Sequence, residues 1–350
     1  MDRPRNHGRG SAANPRNRFE RHETVLDEGA EHDQPSTSTV WLPDRSRTLI
    51  ARNQSPDLGF DASLNPYRGC EHGCAYCYAR PTHEYLGFSA GLDFETRILV
   101  KEGAALRLRE ELSSPRWVPR PLALSGVTDP YQPGERRWGV TRACLEVLAE
   151  FRNPVVIVTK NHLVTRDVDL LAELASHGAC TVFVSITTLD RGLQRVMEPR
   201  TSTPERRLDA IRLLSEAGVP AGVMVAPVIP GLTEHEIPSI LEAAAQAGAR
   251  HASWVLLRLP WGVKDLFREW LERTFPDRAA KVLNRIRSTR GGRLYDADFG
   301  TRGRGEGPVA EHIERLFRVS RRKAGLETPP PALRTDAFQR PAGEQLTLFA

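Results

Sequence analysis

Five short apolar runs recur along the chain at intervals that leave room for about one helix between each pair: PLALSG (121–126), PVVIVTK (154–160), CTVFVSIT (180–187), AGVMVAPVI (221–229) and ASWVLLRLP (252–260). Runs this short and this rich in Val, Ile and Leu read as buried strands, and the segments between them carry a helical period. Val140, Ala143, Cys144, Val147, Leu148 and Phe151 stand at i, i+3, i+4, i+7, i+8 and i+11, which makes one apolar stripe. Thr203 and Pro204 open a second helix that Gly218 closes. Thr233 with Glu236 three residues later has the pattern of a capping box before a third, ending at Gly248. Strands and helices in alternation demand a parallel sheet with right-handed crossovers. With one more strand around Leu64 to Arg68, about six βα units fit between residues 60 and 265, too few for a closed eightfold barrel. The expected fold class is α/β: a partial, open (β/α)6 TIM-like barrel with functional groups at the carboxyl edge of its strands.

Composition sets the boundaries of that unit. Residues 1–45 and 325–350 are polar and lack apolar periodicity, so disordered N- and C-terminal tails are expected there. They flank a core at 46–265 and a helical extension at 266–324 that carries a basic glycine-rich run, NRIRSTRGGRLYDADFGTRGRGEG. Its arginines, Arg285, Arg287, Arg290, Arg293, Arg302 and Arg304, make either a mobile strip that grips nucleic acid or a merely solvated one. The net charge of +5 permits phosphate contact without demanding it. The first forty residues are too polar for a signal peptide, and no stretch approaches the roughly 20 apolar residues that cross a membrane; a cytoplasmic protein with no membrane contact is expected.

Three of the five cysteines crowd into RGCEHGCAYCYA (68–79), as Cys70, Cys74 and Cys77. An odd count in a reducing compartment argues against a disulfide framework and sends the cluster toward metal or redox chemistry. Gly69 and Gly73 each precede a cysteine and let the backbone turn tightly enough for three sulfurs to face one centre. Three thiolates are one short of a closed cubane, so an iron–sulfur cluster held this way keeps one iron open. Structural zinc with His72 or His83 as fourth ligand is the alternative, although such sites generally use two separated ligand pairs. Cys144, on the helical stripe, and Cys180, at the amino end of its strand, read as packing residues.

The segments NPYRGCEHGCAYCYAR (65–80), TDPYQP (128–133) and MEPRTSTPERR (197–207) resemble the radical S-adenosylmethionine superfamily, in the branch containing spore photoproduct lyase and its uncharacterised bacterial relatives. The resemblance covers about residues 60–265. It implies that Cys70, Cys74 and Cys77 ligate a [4Fe–4S] cluster, that S-adenosylmethionine chelates the open iron, and that an electron donor such as flavodoxin or ferredoxin reduces it. Tyr76 is then expected against the adenine. Where the superfamily usually has a Gly-Gly-Glu-like stretch this chain reads Ser125-Gly126-Val127-Thr128-Asp129, a departure that still offers Thr128 and Asp129 to an ammonium group. Lys160 is placed to meet the cofactor carboxylate, Ser185 and Thr187 the ribose hydroxyls. Arg200 is a further candidate for a carboxylate, with a salt bridge to Glu198 as its rival role. Spore photoproduct lyase uses a cysteine hydrogen-atom donor near the end of the second strand; this chain has no cysteine between Cys77 and Cys144, which leaves Tyr131 as the candidate relay. The substrate class implied is open, with DNA or RNA as candidates, and a zinc- or cluster-stabilised nucleic-acid-binding protein without radical catalysis is the competing reading.

The last residues, GEQLTLFA, are apolar where a solvated tail favours polar groups. Gln345, Leu346, Leu348 and Phe349 resemble the short linear motif by which bacterial DNA-metabolism proteins dock on the sliding clamp, an extended peptide whose leucine and phenylalanine enter an apolar pocket.

Overall fold

The apolar runs form the strands expected of them. The computed structural model describes residues 8–20 and 37–341. Its strands are β1 (Val40–Pro43), β2 (Ile50–Arg52), β3 (Ala62–Leu64), β4 (Tyr67–Arg68), β5 (Arg97–Val100), β6 (Leu122–Leu124), β7 (Val155–Thr159), β8 (Cys180–Ser185), β9 (Ala221–Val228) and β10 (His251–Leu256). Seven make one sheet in the order β10-β9-β8-β7-β6-β3-β2. Every neighbouring pair in it is parallel except β2 against β3. The six parallel strands β3 and β6–β10 are the six units of an open barrel, whose end strands β10 and β2 do not pair. All six residues of β8 are buried, as a central parallel strand covered on both faces requires. Its register sets Thr159 beside Val184 and Ser185 beside Met224, so β7, β8 and β9 deliver Lys160, Ser185 and Ala226 to one edge.

The strand expected around Leu64 to Arg68 divides in two. Ala62–Leu64 joins the main sheet, whereas Tyr67–Arg68 pairs antiparallel with β5 in a separate sheet of order β1-β5-β4. Pro66 lies at the break; it has no N–H to give a ladder, and its carbonyl accepts from Lys101 N–H at 3.1 Å. The cysteine loop therefore leaves from this small sheet rather than directly from the barrel.

Helices Val140–Phe151 and Pro204–Glu216 occupy the expected segments, and Val140, Cys144, Leu148 and Phe151 are buried on the stripe. Cys180 also lies in the main core. The capping box does not form. Thr233 Oγ1 accepts from Ile229 N–H at 2.9 Å, and the Glu236 carboxylate takes Thr188 Oγ1–H and Leu189 N–H at 2.6 and 2.7 Å, so both side chains pin loops at the carboxyl edge instead of capping helix Ile237–Gln246.

The described stretches of the two tails are packed on the rest of the chain, because polar side chains satisfy backbone groups there. In the N-terminal segment Arg9, Ser11 and Asn17 are buried, and β1 falls before residue 45. Beyond residue 325, Leu326 is buried, Arg334 N–H donates to Gly178 O at 2.9 Å and Phe338 packs on Phe151. Part of the basic run is engaged by the protein itself, while Arg293 and Arg304 stay exposed. Arg290 is fully buried, donating to the carbonyl oxygens of Leu257, Thr301 and Arg302 at 2.7–2.9 Å. Arg302 pairs with Asp57, Arg285 with Glu234, and Arg304 stacks on Trp254. Helices Val263–Thr274 and Pro276–Ser288 pack in one apolar cluster with Cys74, Ala75 and Tyr76, so the extension covers the cysteine loop. No helix among the described residues is long and apolar enough to cross a membrane.

Candidate active site

The cysteine loop is shaped by its glycines and held by a buried ion pair. Gly69 and Gly73 have φ of +82° and +65°, the left-handed region, and a Cβ at either would stand 2.8 Å from His83 Cε1 or 2.7 Å from Glu95 Oε2. Cys70 N–H donates to Phe94 O at 2.9 Å, Ala75 N–H to Met197 O at 3.0 Å and Cys77 N–H to Cys74 O at 3.2 Å. Arg80 donates to the Cys74 carbonyl from Nε and Nη2 at 3.2 and 2.9 Å and pairs with Glu95, both side chains fully buried. Cys70 and Cys74 are buried and Cys77 half-buried, and all three are free thiols. Burial, with the neighbouring cysteines, pushes the Cys77 thiol up to about 11 and Cys74 well above the usual range.

Among the described residues, no three His, Cys, Asp or Glu side chains converge closely enough to hold a single metal ion. His72 is no spare ligand. Its Nδ1 faces Asp129 at 3.4 Å and its Nε2 accepts from Asn161 Nδ2 at 3.1 Å; Asn161 is oriented by Leu163 N–H and Ser202 Oγ–H on its oxygen. His83 points the other way, onto Arg97 O at 2.8 Å and the Phe94 ring. The zinc alternative finds no fourth ligand here. A cubane asks each thiolate to meet a different iron rather than one shared ion, and three free thiols on one loop are the donor set it takes. The three cysteines fit that group.

Beneath the loop, the edge of β7, β8 and β9 carries a polar network. Lys160 Nζ donates to Ser185 Oγ, Thr187 Oγ1 and Ala226 O at 2.8, 3.0 and 2.8 Å, with Glu198 Oε1 at 3.3 Å. Its three protons are thus engaged, and a ligand carboxylate reaches Lys160 only by replacing one of those oxygens. Glu198 is fully buried; it accepts from Tyr76 OH and from Thr187 Oγ1 at 2.7 Å and pairs with the equally buried Arg207. Burial would raise the Glu198 carboxyl, but Arg207 first and Lys160 second hold it well below the usual carboxylate range. Tyr76, from the cysteine loop, is thereby tied to the end of β8.

Other sequence candidates take roles different from those expected. Thr128 Oγ1 donates to Gly69 O at 2.7 Å and accepts from Gln132 Nε2 at 3.1 Å, bracing the first turn of the loop. Asp129 is saturated by Tyr131 N–H, Thr159 Oγ1–H, Lys160 N–H and His72, four partners that leave no oxygen for an ammonium group. Arg200 pairs with Glu71 at 3.1 Å, not with Glu198, which belongs to Arg207. Tyr131 is fully buried in the main core with Asp167 beside its hydroxyl, so a relay through it finds no support in its placement. Sequence reasoning missed Glu198 and Arg207 as a pair, although both stand in the run MEPRTSTPERR. It also missed Glu71, Arg80, Glu95 and Gln132, whose partners are distant in sequence.

The site lies on a recognisable scaffold. A family model described as the radical SAM superfamily matches residues 64–244, more than half of the chain. The chain belongs to the radical SAM superfamily. The match begins at β3 and takes in the cysteine loop and the Lys160–Glu198 network. An uncharacterised protein of Mycobacterium tuberculosis (strain ATCC 25618 / H37Rv) is 40% identical over 232 residues, 65% of this chain and 68% of that protein. A radical SAM Nalpha-GlyT isomerase of Pseudomonas phage M6 is 25% identical over 213 residues, 60% of this chain and 42% of that protein. Spore photoproduct lyase complexed with dinucleoside spore photoproduct superposes with a TM-score of 0.57 at 17% identity, over 81% of this chain and 79% of that chain. At that identity the likeness is one of fold.

Proposed function

We propose that this radical SAM protein is an enzyme whose Cys70, Cys74 and Cys77 ligate a [4Fe–4S] cluster beside a bed for S-adenosylmethionine formed by Tyr76, Lys160, Ser185 and Thr187. When bound, the cluster and S-adenosylmethionine supply one-electron cleavage of a sulfonium C–S bond, giving a 5′-deoxyadenosyl radical for a substrate held nearby. The chain's own residues orient and enclose. Glu198 and Arg207 fix Tyr76 and Thr187, Thr128 and Gln132 brace Gly69, and Asp129 orients His72 and Thr159, a positioning role in place of direct cofactor contact. Arg200 braces the loop through Glu71. Reduction calls for a small electron donor of the flavodoxin or ferredoxin kind.

One observation carries this reading: three unbridged thiols on a loop with two left-handed glycines, tied by Tyr76 to the carboxyl edge of β8. Anaerobic reconstitution of the full chain tests it, reading iron and sulfide per chain and then 5′-deoxyadenosine after reduction with S-adenosylmethionine. Iron without S-adenosylmethionine cleavage would return the chain to the non-catalytic alternative.

Nucleic acid is our proposed substrate class. Tyr78, next to Cys77, is 48% exposed with Arg258 over its ring at 5.2 Å, and Trp261, just past β10, is 56% exposed with Arg18 over its ring at 4.1 Å. Exposed rings beside guanidinium groups stack bases without regard to sequence. The basic run adds little to this reading, since Arg285, Arg290 and Arg302 are taken up by partners within the chain. The sliding-clamp motif, Gln345 to Phe349, lies outside the described residues and stands as a proposal from sequence.

A further inference from the structure

Residues 9–17 precede the matched family region, yet they are built into the cysteine loop from its outer side. Gly10 N–H and Ser11 N–H donate to Glu95 Oε2 and Oε1 at 3.0 and 2.9 Å. Glu95 is the buried partner of Arg80, and Arg80 holds the Cys74 carbonyl. Arg9 makes a second line: its Nη1 donates to Glu95 O at 2.7 Å and its Nη2 to Thr39 Oγ1 at 2.9 Å, while Thr39 donates to Glu71 Oε1 at 2.6 Å, one residue after Cys70. Contact at the loop itself is backbone on backbone, since a Cβ on Gly10 would stand 1.8 Å from Gly73 O. The rest of the segment is fastened beyond the loop. Ala13 O accepts from Leu92 N–H at 3.2 Å, Asn14 and Asp93 exchange two hydrogen bonds, and Asn17 donates to Glu84 O and Phe88 O.

We infer that this N-terminal strap is a wall of the cluster site, and that Arg9 and Gly10 are positioning residues which set how long the cysteine loop retains its iron. The inference rests on the ligand role proposed for Cys70, Cys74 and Cys77. Without the strap, the buried Glu95 carboxylate loses two of its donors and the loop loses the side chain that links Glu71 to residue 95 through Thr39. A carboxylate so depleted is a weaker anchor for Arg80, and through it for Cys74. The strap also packs its backbone directly against the Gly73 carbonyl.

Gly10→Val on the full chain tests this, with Gly59→Val as control because nothing lies within 4 Å of a Cβ there. Both are reconstituted anaerobically beside the unaltered chain. Iron per chain, the electron paramagnetic resonance signal of the reduced cluster and the rate of visible bleaching in air or with a chelator are measured, along with thermal unfolding of the iron-free proteins. The expected result is iron loss at least about fivefold faster in Gly10→Val, the change that follows from one or two weakened buried hydrogen bonds, with the iron-free chain still unfolding cooperatively at a slightly lower temperature and the control's bleaching unaltered. Loss at the unaltered rate overturns the inference. Arg9→Gln breaks the second line without a steric insert and must accelerate loss in the same sense; retention there overturns it even if Gly10→Val does not fold. No iron in the unaltered chain refutes the ligand reading itself, a separate outcome.

Discussion

Replacing Arg207 by Met leaves Glu198 as a buried carboxylate with Lys160 as its remaining cationic partner at 3.3 Å. Arg207 also donates to Ser202 O and Ser185 O at 2.8 and 3.0 Å. Removing one member of a buried pair costs about 3–5 kcal/mol, mostly from the charge left uncompensated. Unfolding entropy of about 2.1 cal/mol/K per residue gives roughly 0.7 kcal/mol/K for a chain of this size, so Tm should fall by about 4–7 °C. Glu198→Gln combined with Arg207→Met removes the charge along with its partner and should recover about half of that loss, a coupling readable in a double-mutant cycle by calorimetry on the iron-free protein. The sign with pH follows from the same pair. Burial opposes ionisation of Glu198, but Arg207 and Lys160 prevail and its carboxyl stays well below the usual range in the folded chain. Its stabilisation is therefore fully present above the unfolded carboxyl pKa and is lost as pH falls below it toward the folded value. Arg207→Met should flatten that acid limb. A Tm change under about 1 °C, or strictly additive single and double variants, would refute the reasoning.

Cys74→Ala should abolish stable iron binding, while Cys144→Ala should leave iron content unchanged and lower Tm only through a small core cavity, a difference that iron assay and calorimetry separate. Lys160→Met should weaken S-adenosylmethionine binding at least about tenfold, measured by titration of the reconstituted protein, with iron content retained, since Lys160 donates its hydrogen bonds to Ser185, Thr187 and Ala226 and supplies no metal ligand. Trp261→Ala should lower single-stranded oligonucleotide affinity by about 1–3 kcal/mol without changing the salt slope, whereas Arg258→Gln should reduce that slope; equal effects of both would count against stacking. Deleting the last six residues should abolish recovery of the chain on an immobilised sliding clamp, and equal recovery would end that proposal.

Local chemistry made the six βα units and the grouping of three cysteines on one loop legible in the sequence. A strand buried on both faces must be an uninterrupted apolar run, a helix on a sheet must repeat every three to four residues, and three cysteines in one glycine-turned loop need no distant partner to be read. What depends on residues far apart in the chain stayed hidden. Glu198 had two arginines within reach of its run, and only the fold assigned it to Arg207 and gave Arg200 to Glu71. Asp129 and Lys160 were visible as charged groups at strand ends, but the oxygens and N–H groups that saturate them come from neighbouring strands. The N-terminal segment shows the limit most clearly. Its polar composition predicts a solvated tail, because propensity counts apolar burial, whereas Arg9 is fixed by the backbone carbonyl of Glu95 and Gly10 and Ser11 by its buried carboxylate, some 85 residues away. Sequence determined the scaffold and the thiol tripod; tertiary structure decided which charges meet, since a hydrogen bond is set by distance in space and not along the chain.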